Sequence, residues 1–259
     1  MEPAVPLAIE TRGLRKVFGD LVAVSGIDLA VPRGSFYGFL GPNGAGKSTT
    51  IKCLTGLLTP TSGEFRILDM DPIADPVGVK RRVGVMPEDL ALFDRLSGAE
   101  TLTFVGQVHG LDAGRLRDRS AELLALMDLT KAAGDLVADY SHGMRKKIAL
   151  AAALLPAPRL LFLDEPFEGI DAVASRQIKN LLTQYVNGGG TVFLTSHILE
   201  IVERLCNHIG VIQQGRLVAE GPIDVLRAGG AAGRSLEEIF LTLIGADEGD
   251  TPALGWLAE

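Results

Sequence analysis

The spacing of apolar residues changes character three times along the chain, and each change predicts a different kind of element. Between residues 7 and 40 the apolar runs are short and β-rich. They are Leu7-Ala8-Ile9-Glu10-Thr11, Leu21-Val22-Ala23-Val24, Ile27-Asp28-Leu29-Ala30-Val31 and Ser35 to Leu40. Gly19-Asp20, Gly26 and Pro32-Arg33-Gly34 stand between them as turn signals. Phe36 to Leu40 is unbroken by polar residues, the pattern of a strand buried on both faces. A helical pattern runs from Ser48 to Leu57, followed by strand candidates at Gly63 to Leu68 and Val83 to Met86.

The period then becomes helical from Ser97 to Leu129. Leu102, Val105, Val108 and His109 mark one helix; Leu116, Leu123, Leu124 and Met127 mark another, with Asp112 as its cap. Beyond Pro156, strands and helices alternate. The strands are Leu160 to Leu163 and Thr191 to Thr195; the helices are Val173 to Tyr185 and Leu199 to Cys206. A hairpin, Ile209 to Gln213 and Leu217 to Glu220, turns at Gln214-Gly215. Alternation of this kind predicts an α/β fold with a mostly parallel sheet covered on both faces. The expected organisation is one domain over 1–245. Its core halves are 1–87 and 157–228, an inserted helical subdomain covers about 88–156, and a last amphipathic helix covers about 235–245. An acidic tail, 246–259, is expected to be loose.

Composition narrows the function classes. A chain of 259 residues at 47% hydrophobic and 22% charged is ordinary for a soluble globular protein with a sizeable core. A net charge of −7 disfavours a general nucleic-acid binder. Lys80-Arg81-Arg82 and Arg145-Lys146-Lys147 therefore read as solvated faces. No apolar run approaches the ~18 residues of a membrane span, and Met1-Glu2-Pro3 lacks the basic start of a secretory signal. Cys53 and Cys206, far apart inside apolar patterns, read as reduced core residues, and a cytoplasmic setting is expected.

The chemistry begins where the buried strand ends. Gly41-Pro42-Asn43-Gly44-Ala45-Gly46-Lys47-Ser48, followed by Thr49, fits G-x-x-x-x-G-K-[ST], a phosphate-binding loop. Glycines let backbone N–H groups turn toward phosphate oxygens, and the following helix adds its unpaired N–H groups and dipole. Lys47 is placed to reach the β- and γ-phosphates, and Ser48 to hold Mg²⁺. Such a loop needs a carboxylate at the end of a neighbouring strand. Asp164 follows four large apolar residues and fits as a metal ligand; Glu165, next in line, fits as the general base for an attacking water. His197, after the following strand, is positioned to touch the γ-phosphate and that water.

In this order the motifs resemble the ATP-binding subunit of ABC transporters. Gly41 to Thr49 resembles Walker A, Leu160 to Glu165 Walker B with its catalytic glutamate, and His197 the switch histidine. Tyr140-Ser141-His142-Gly143-Met144 stands at the signature position, Glu168-Gly169-Ile170-Asp171 resembles the D-loop, and Pro87-Glu88 sits at the Q-loop. Phe18 sits where the family places an aromatic that stacks on adenine. The resemblance spans roughly Leu7 to Ala228 and implies two subunits packed head to tail. Each ATP, with Mg²⁺, then lies between one phosphate loop and the other subunit's Ser141, His142 and Gly143. Glu88, Ser48 and Asp164 are the implied metal ligands.

The resemblance further implies a separate integral membrane subunit, a permease, with the ATPase peripheral on the inner face of the membrane and no nucleic-acid partner. Three of five signature residues differ from the commoner Leu-Ser-Gly-Gly-Gln, in the manner of bacterial exporter ATPases. Glu88 replaces a glutamine, and Glu168 replaces the usual serine of the D-loop. The alternative is a non-transport ATPase of the same family, acting on nucleic acid, ribosomes or iron–sulfur assembly. It lacks support from any coiled coil, tandem repeat or cysteine cluster. Phe93, Leu96, Leu102 and Phe104 read either as a groove for a helix of the membrane subunit or as core of the helical insert.

Overall fold

The computed structural model describes residues 5–228 and 235–245. β1 (Leu7–Phe18) and β2 (Leu21–Ile27) form an antiparallel hairpin, β3 (Ala30–Pro32) returns along β1, and β4 (Phe36–Leu40) leaves for a second sheet. After α1 (Lys47–Leu54), β5 (Ser62–Ile67) pairs with β1 and completes a four-stranded antiparallel sheet. α2 (Pro76–Lys80) leads into β6 (Val83–Met86). Three helices follow, α3 (Gly98–Val108), α4 (Ala113–Leu126) and α5 (His142–Leu154), and pack on one another. The chain continues as β7 (Leu160–Asp164), α6 (Ala172–Asn187), β8 (Thr191–Ser196) and α7 (Leu199–Leu205). It closes with the hairpin β9 (His208–Gln213) and β10 (Arg216–Pro222), then α8 (Ile223–Ala228) and α9 (Leu236–Leu243).

The second sheet has six strands in the order β10-β9-β4-β8-β7-β6, all neighbours parallel except the β9–β10 hairpin. The α/β class read from the alternating pattern is the class observed. β4 lies between β8 and β9, and all five of its residues are buried. Its aromatics gather on Phe193 of β8. The Tyr37 ring stacks on it at 5.3 Å and 10°, with Phe39 at 5.3 Å and Phe162 at 5.7 Å. Such pairs contribute about 0.5–1.5 kcal/mol each beyond their burial, which anchors the strand that delivers the loop. On the other face, a Cβ at Gly38 would lie 2.8 Å from Val202 Cγ1, so only glycine lets α7 pack this closely on β4.

Several expected elements shift. β1 extends to Phe18, beyond the expected Thr11, because its partners β2 and β5 lie elsewhere in sequence. The expected strand from Ile27 to Val31 is broken: the Thr11 hydroxyl donates to Ile27 O and accepts from Leu29 N, each at 2.8 Å, in place of ladder bonds. Gly26, expected in a turn, is the extra residue of a bulge in β2, at φ +74°. Asp112 caps α4 as expected, accepting from Arg115 N, and Ser97 with Glu100 forms a capping box on α3. Lys146 is buried rather than solvated, and Arg145 is half-buried in an ion pair with Asp94 at 2.7 Å. Lys80, Arg81 and Arg82 are exposed as expected. Both cysteines are buried and free, and burial pushes the Cys206 thiol well above its ordinary range. The expected loose tail 246–259 lies outside the described residues.

Candidate active site

The loop between β4 and α1 is shaped by two close approaches. A Cβ at Gly41 would meet Ile212 O at 2.3 Å, and one at Gly46, which sits at φ +109°, would meet Ala23 O at 2.5 Å. Glycine is therefore obligatory at both, for space at Gly41 and for space and conformation at Gly46. Pro42 O accepts from Ala45 N at 3.1 Å, closing a tight turn inside the loop, and Ala45 is buried beneath it. The Lys47 ammonium folds back to Gly41 O at 2.8 Å and Pro42 O at 3.3 Å, with Glu165 Oε1 3.9 Å away.

Strand register brings the remaining groups to the same end of the sheet. Asp164 pairs with Thr195, and Leu40, the last residue before the loop, pairs with Ser196. Asp164 is 2% exposed, and its Oδ1 accepts from the Thr195 hydroxyl at 2.5 Å and from Ser48 Oγ at 3.3 Å. Glu88 is exposed, with Oε2 3.5 Å from the same Ser48 hydroxyl. Glu165 follows the strand at φ +48°, a left-handed conformation uncommon for a residue with a side chain. That turn of the backbone is what lets two successive carboxylates face one crevice instead of opposite faces of the sheet. Glu165 N donates to Thr195 Oγ1 at 3.0 Å, and Glu165 Oε2 lies 3.0 Å from His197 Nδ1. The other ring nitrogen, Nε2, has no hydrogen-bond partner among the described residues. His197 is the exposed member of the pair.

These side chains surround a pocket of about 740 Å³. Its floor is Asn43, Gly44, Gly46, Lys47, Ser48 and Thr49, and Glu88, Glu165 and His197 line it further. Phe18 stands in its wall together with Leu21, Val22 and Ala23 of β2. Lys16 Nζ lies 4.8 Å from the centre of the Phe18 ring. Leu21 to Ala23 escape a reading of the sequence as site residues, and so do Gln214 and Gly215 of the β9–β10 turn. The turn is fastened to the loop, since Gly215 N donates to Ala45 O at 2.9 Å and Ser25 N donates to Gly215 O at 2.7 Å. Thr195 is the other missed residue; its signal was its place at the end of the strand beside Asp164.

Of the D-loop stretch Glu168 lines this pocket, whereas Ser141, His142, Gly143 and Asp171 do not. Ser141 caps α5, its hydroxyl accepting from Met144 N at 3.2 Å. Ser141 and His142 are exposed and Gly143 is half-buried. The His142 ring sits against Gly169, where a Cβ would be 3.1 Å from Nε2. Asp171 caps α6 by accepting from Ala174 N and Val173 N, and these backbone N–H bonds hold its carboxyl below the usual range. One chain thus carries two separate constellations.

The donor set around Ser48 consists of a hydroxyl and two carboxylates, all hard oxygens, which suits Mg²⁺. Among the described residues, no three His, Cys, Asp or Glu side chains are grouped to hold a metal by themselves. Magnesium accords with that, being held typically by one or two carboxylates together with substrate phosphates and water.

The sequence model of the ABC transporter family matches residues 24–168. The chain belongs to that family. It is 42% identical over 221 residues to the daunorubicin/doxorubicin resistance ATP-binding protein DrrA of Streptomyces peucetius, covering 85% of this chain and 67% of the relative. It is 41% identical over 214 residues to the Nod factor export ATP-binding protein I of Cupriavidus metallidurans, covering 82% and 70%. A solved ATP-binding subunit of an ABC transporter superposes with a TM-score of 0.86 at 30% identity, over 91% of this chain and 99% of that one. This protein is an ATP-binding, ATP-hydrolysing subunit of the ABC class. No helix among the described residues is long and apolar enough to cross a membrane.

Proposed function

We propose that the protein energises export through a separate integral membrane subunit, working as a head-to-tail pair of ATPase subunits, most simply a homodimer. The observation that carries this reading is the convergence at the strand ends. Ser48 Oγ lies 3.3 Å from Asp164 Oδ1, and Glu165 Oε2 lies 3.0 Å from His197 Nδ1, above a loop that ends in Lys47. The loop from Gly41 to Thr49 cradles the triphosphate through backbone N–H groups, and Lys47 exchanges its carbonyl partners for phosphate oxygens. Ser48, Asp164 and Glu88 are the residues to hold Mg²⁺, which when bound neutralises developing charge on the phosphates.

Glu165 takes a proton from water as the water oxygen attacks the γ-phosphorus and the β,γ-bridging oxygen leaves with ADP. His197 holds the Glu165 carboxylate through Nδ1, and with a proton on each ring nitrogen it donates from Nε2 to the transferring phosphoryl group. Phe18 provides a face for adenine, opposite the one that Lys16 covers.

The second constellation, Ser141, His142 and Gly143 at the N-terminus of α5, has the chemistry of a phosphate site but lies outside its own chain's pocket. In the proposed dimer it closes the partner's pocket, and Asp171 and Gly169 lie beside it on the same face. The proposed unit is a single ATPase domain over 1–245 with the helical subdomain at about 88–156. A groove of about 610 Å³ between the sheet and α3, walled by Leu92, Phe93, Phe104 and Val108, fits a helix of the membrane subunit. Phe93 and Phe104 meet edge to face at 5.2 Å and remain exposed, whereas Leu102 is fully buried and belongs to the core. The names of the drug-resistance and Nod factor relatives support export. The subunit on this reading lies at the inner face of the cell membrane, with no nucleic-acid partner.

Affinity purification of the native complex in detergent tests the proposal. An integral membrane subunit and a second copy of the ATPase are expected in the complex. A complex containing ribosomal or iron–sulfur assembly proteins and no integral membrane protein would replace it with the non-transport reading.

A further inference from the structure

Lys146 is a buried charge with one hydrogen-bonded partner. It lies on the second turn of α5, is 3% exposed, and donates to the backbone carbonyl of Glu165 at 2.7 Å. Lysine is almost never this buried unless it is paired, and Lys146 makes no ion pair among the described residues. Burial lowers its pKa, while Glu168, Glu165 and Glu88 act against that and favour the charged form. The carbonyl it binds also accepts a longer bond, 3.3 Å, from Glu168 N.

The place of that carbonyl gives the contact its meaning. Glu165 adopts the left-handed conformation at φ +48°, which a residue with a Cβ holds only when its surroundings fix it. Its N–H is fixed from β8 by Thr195 Oγ1 at 3.0 Å. Its C=O is fixed from α5 by Lys146 at 2.7 Å. The two bonds clamp the two peptide groups flanking Glu165 and so set the direction of its side chain toward His197 and Lys47. Lys146 itself does not line the nucleotide pocket.

We infer that Lys146 is a positioning residue for Glu165, tying the helix that begins at Ser141 to the backbone of the same chain's general base. This rests on the proposed role of Glu165. Each subunit then connects the segment it presents to its partner's nucleotide with the group that activates water at its own. A displacement of α5 during dimer closure is transmitted by one ammonium-to-carbonyl bond to the carboxylate of Glu165.

The test uses the full chain and the substitutions Lys146→Met, Lys146→Arg and Glu165→Gln. Lys146→Met keeps the length of the stem and removes the donor. It is expected to lower kcat at least roughly tenfold, the loss expected of a misplaced catalytic group, with the Kd for a fluorescent ATP analogue within twofold of the parent. Lys146→Arg, which keeps a charged donor, is expected to recover most of kcat. Should Lys146→Met fail to fold, Lys146→Leu, which also removes the donor, takes its place, with the same outcomes expected. Parent-like kcat in Lys146→Met overturns the inference, as does a loss of Kd and thermal midpoint in step with kcat. If Glu165→Gln itself hydrolyses ATP at the parent rate, the general-base reading fails instead. If Glu165→Gln is inactive and Lys146→Met is fully active, only the positioning role of Lys146 fails.

Discussion

His197 Nδ1 stands 3.0 Å from Glu165 Oε2, across the ends of two adjacent parallel strands. The contact ties the orientation of the imidazole to the direction of the carboxylate. Glu165→Gln keeps the shape of the site and removes the base. Turnover is expected to fall about 10²- to 10⁴-fold, the range for general acid–base catalysis, while ATP binding persists. Size-exclusion chromatography with MgATP is expected to show an accumulated dimer. A variant that hydrolyses at the parent rate would remove Glu165 from the mechanism.

Lys47→Ala acts on binding instead. The ammonium is buried beside the loop carbonyls, and Lys47 is the one Lys or Arg that lines the pocket among the described residues. Loss of a hydrogen bond to a charged group costs about 1.5–3 kcal/mol, so nucleotide affinity is expected to weaken roughly 10- to 100-fold. Isothermal titration with ATP measures it, and an unchanged Kd contradicts the assignment.

Thr195 carries two duties on one oxygen, donating to Asp164 Oδ1 and accepting from Glu165 N. Thr195→Val preserves volume, leaves Glu165 N without its partner and leaves Asp164 Oδ1 only the longer bond from Ser48 Oγ, in a buried site. Stability is expected to fall about 1–3 kcal/mol. The Mg²⁺ concentration for half-maximal activity is expected to rise as kcat falls, because the metal ligand and the base loosen together. A change in one without the other contradicts a shared anchor.

Phe18→Ala separates base from phosphate. Stacking of a nucleobase on an aromatic ring is worth about 1–3 kcal/mol, and ATP affinity is expected to drop accordingly. Binding of inorganic tripolyphosphate, which has no base, is expected to stay at the parent value. An equal loss for both ligands shows that Phe18 acts through the loop rather than through adenine.

Phe193→Ala probes the fold that carries the loop. Phe193 is fully buried and touches Tyr37, Phe39 and Phe162. Truncation of a core phenylalanine costs about 3–5 kcal/mol, read as a lowered denaturant midpoint. Loss of less than about 1 kcal/mol would mean that the aromatic cluster repacks without it.

Local signals made much of the molecule legible. The loop from Gly41 to Thr49, the buried strand ending at Asp164 and the cap at Asp112 each depend on neighbours a few residues away. What escaped depends on distant ones. The length of β1 is set by β2 and β5, and the break at Asp28–Leu29 is set by the Thr11 hydroxyl. Lys146 sits in a run of three basic residues that reads as solvated. Only the approach of α5 to the residue that follows β7 turns it inward, to Glu165 O. The Gln214-Gly215 turn carries no motif, and enters the pocket because it is hydrogen-bonded to Ala45 and Ser25.

The pocket wall comes from two different sheets. Phe18 and Leu21 to Ala23 belong to the antiparallel sheet, while the loop and Glu165 hang from the ends of the parallel one. The two sheets are fastened to each other there by the Ser25–Gly215 and Gly215–Ala45 bonds. On the proposed reading a nucleotide that reaches from Phe18 to Glu165 spans both sheets, and loss of the γ-phosphate ends its reach to Glu165, so the span from aromatic to carboxylate is a gauge of nucleotide length.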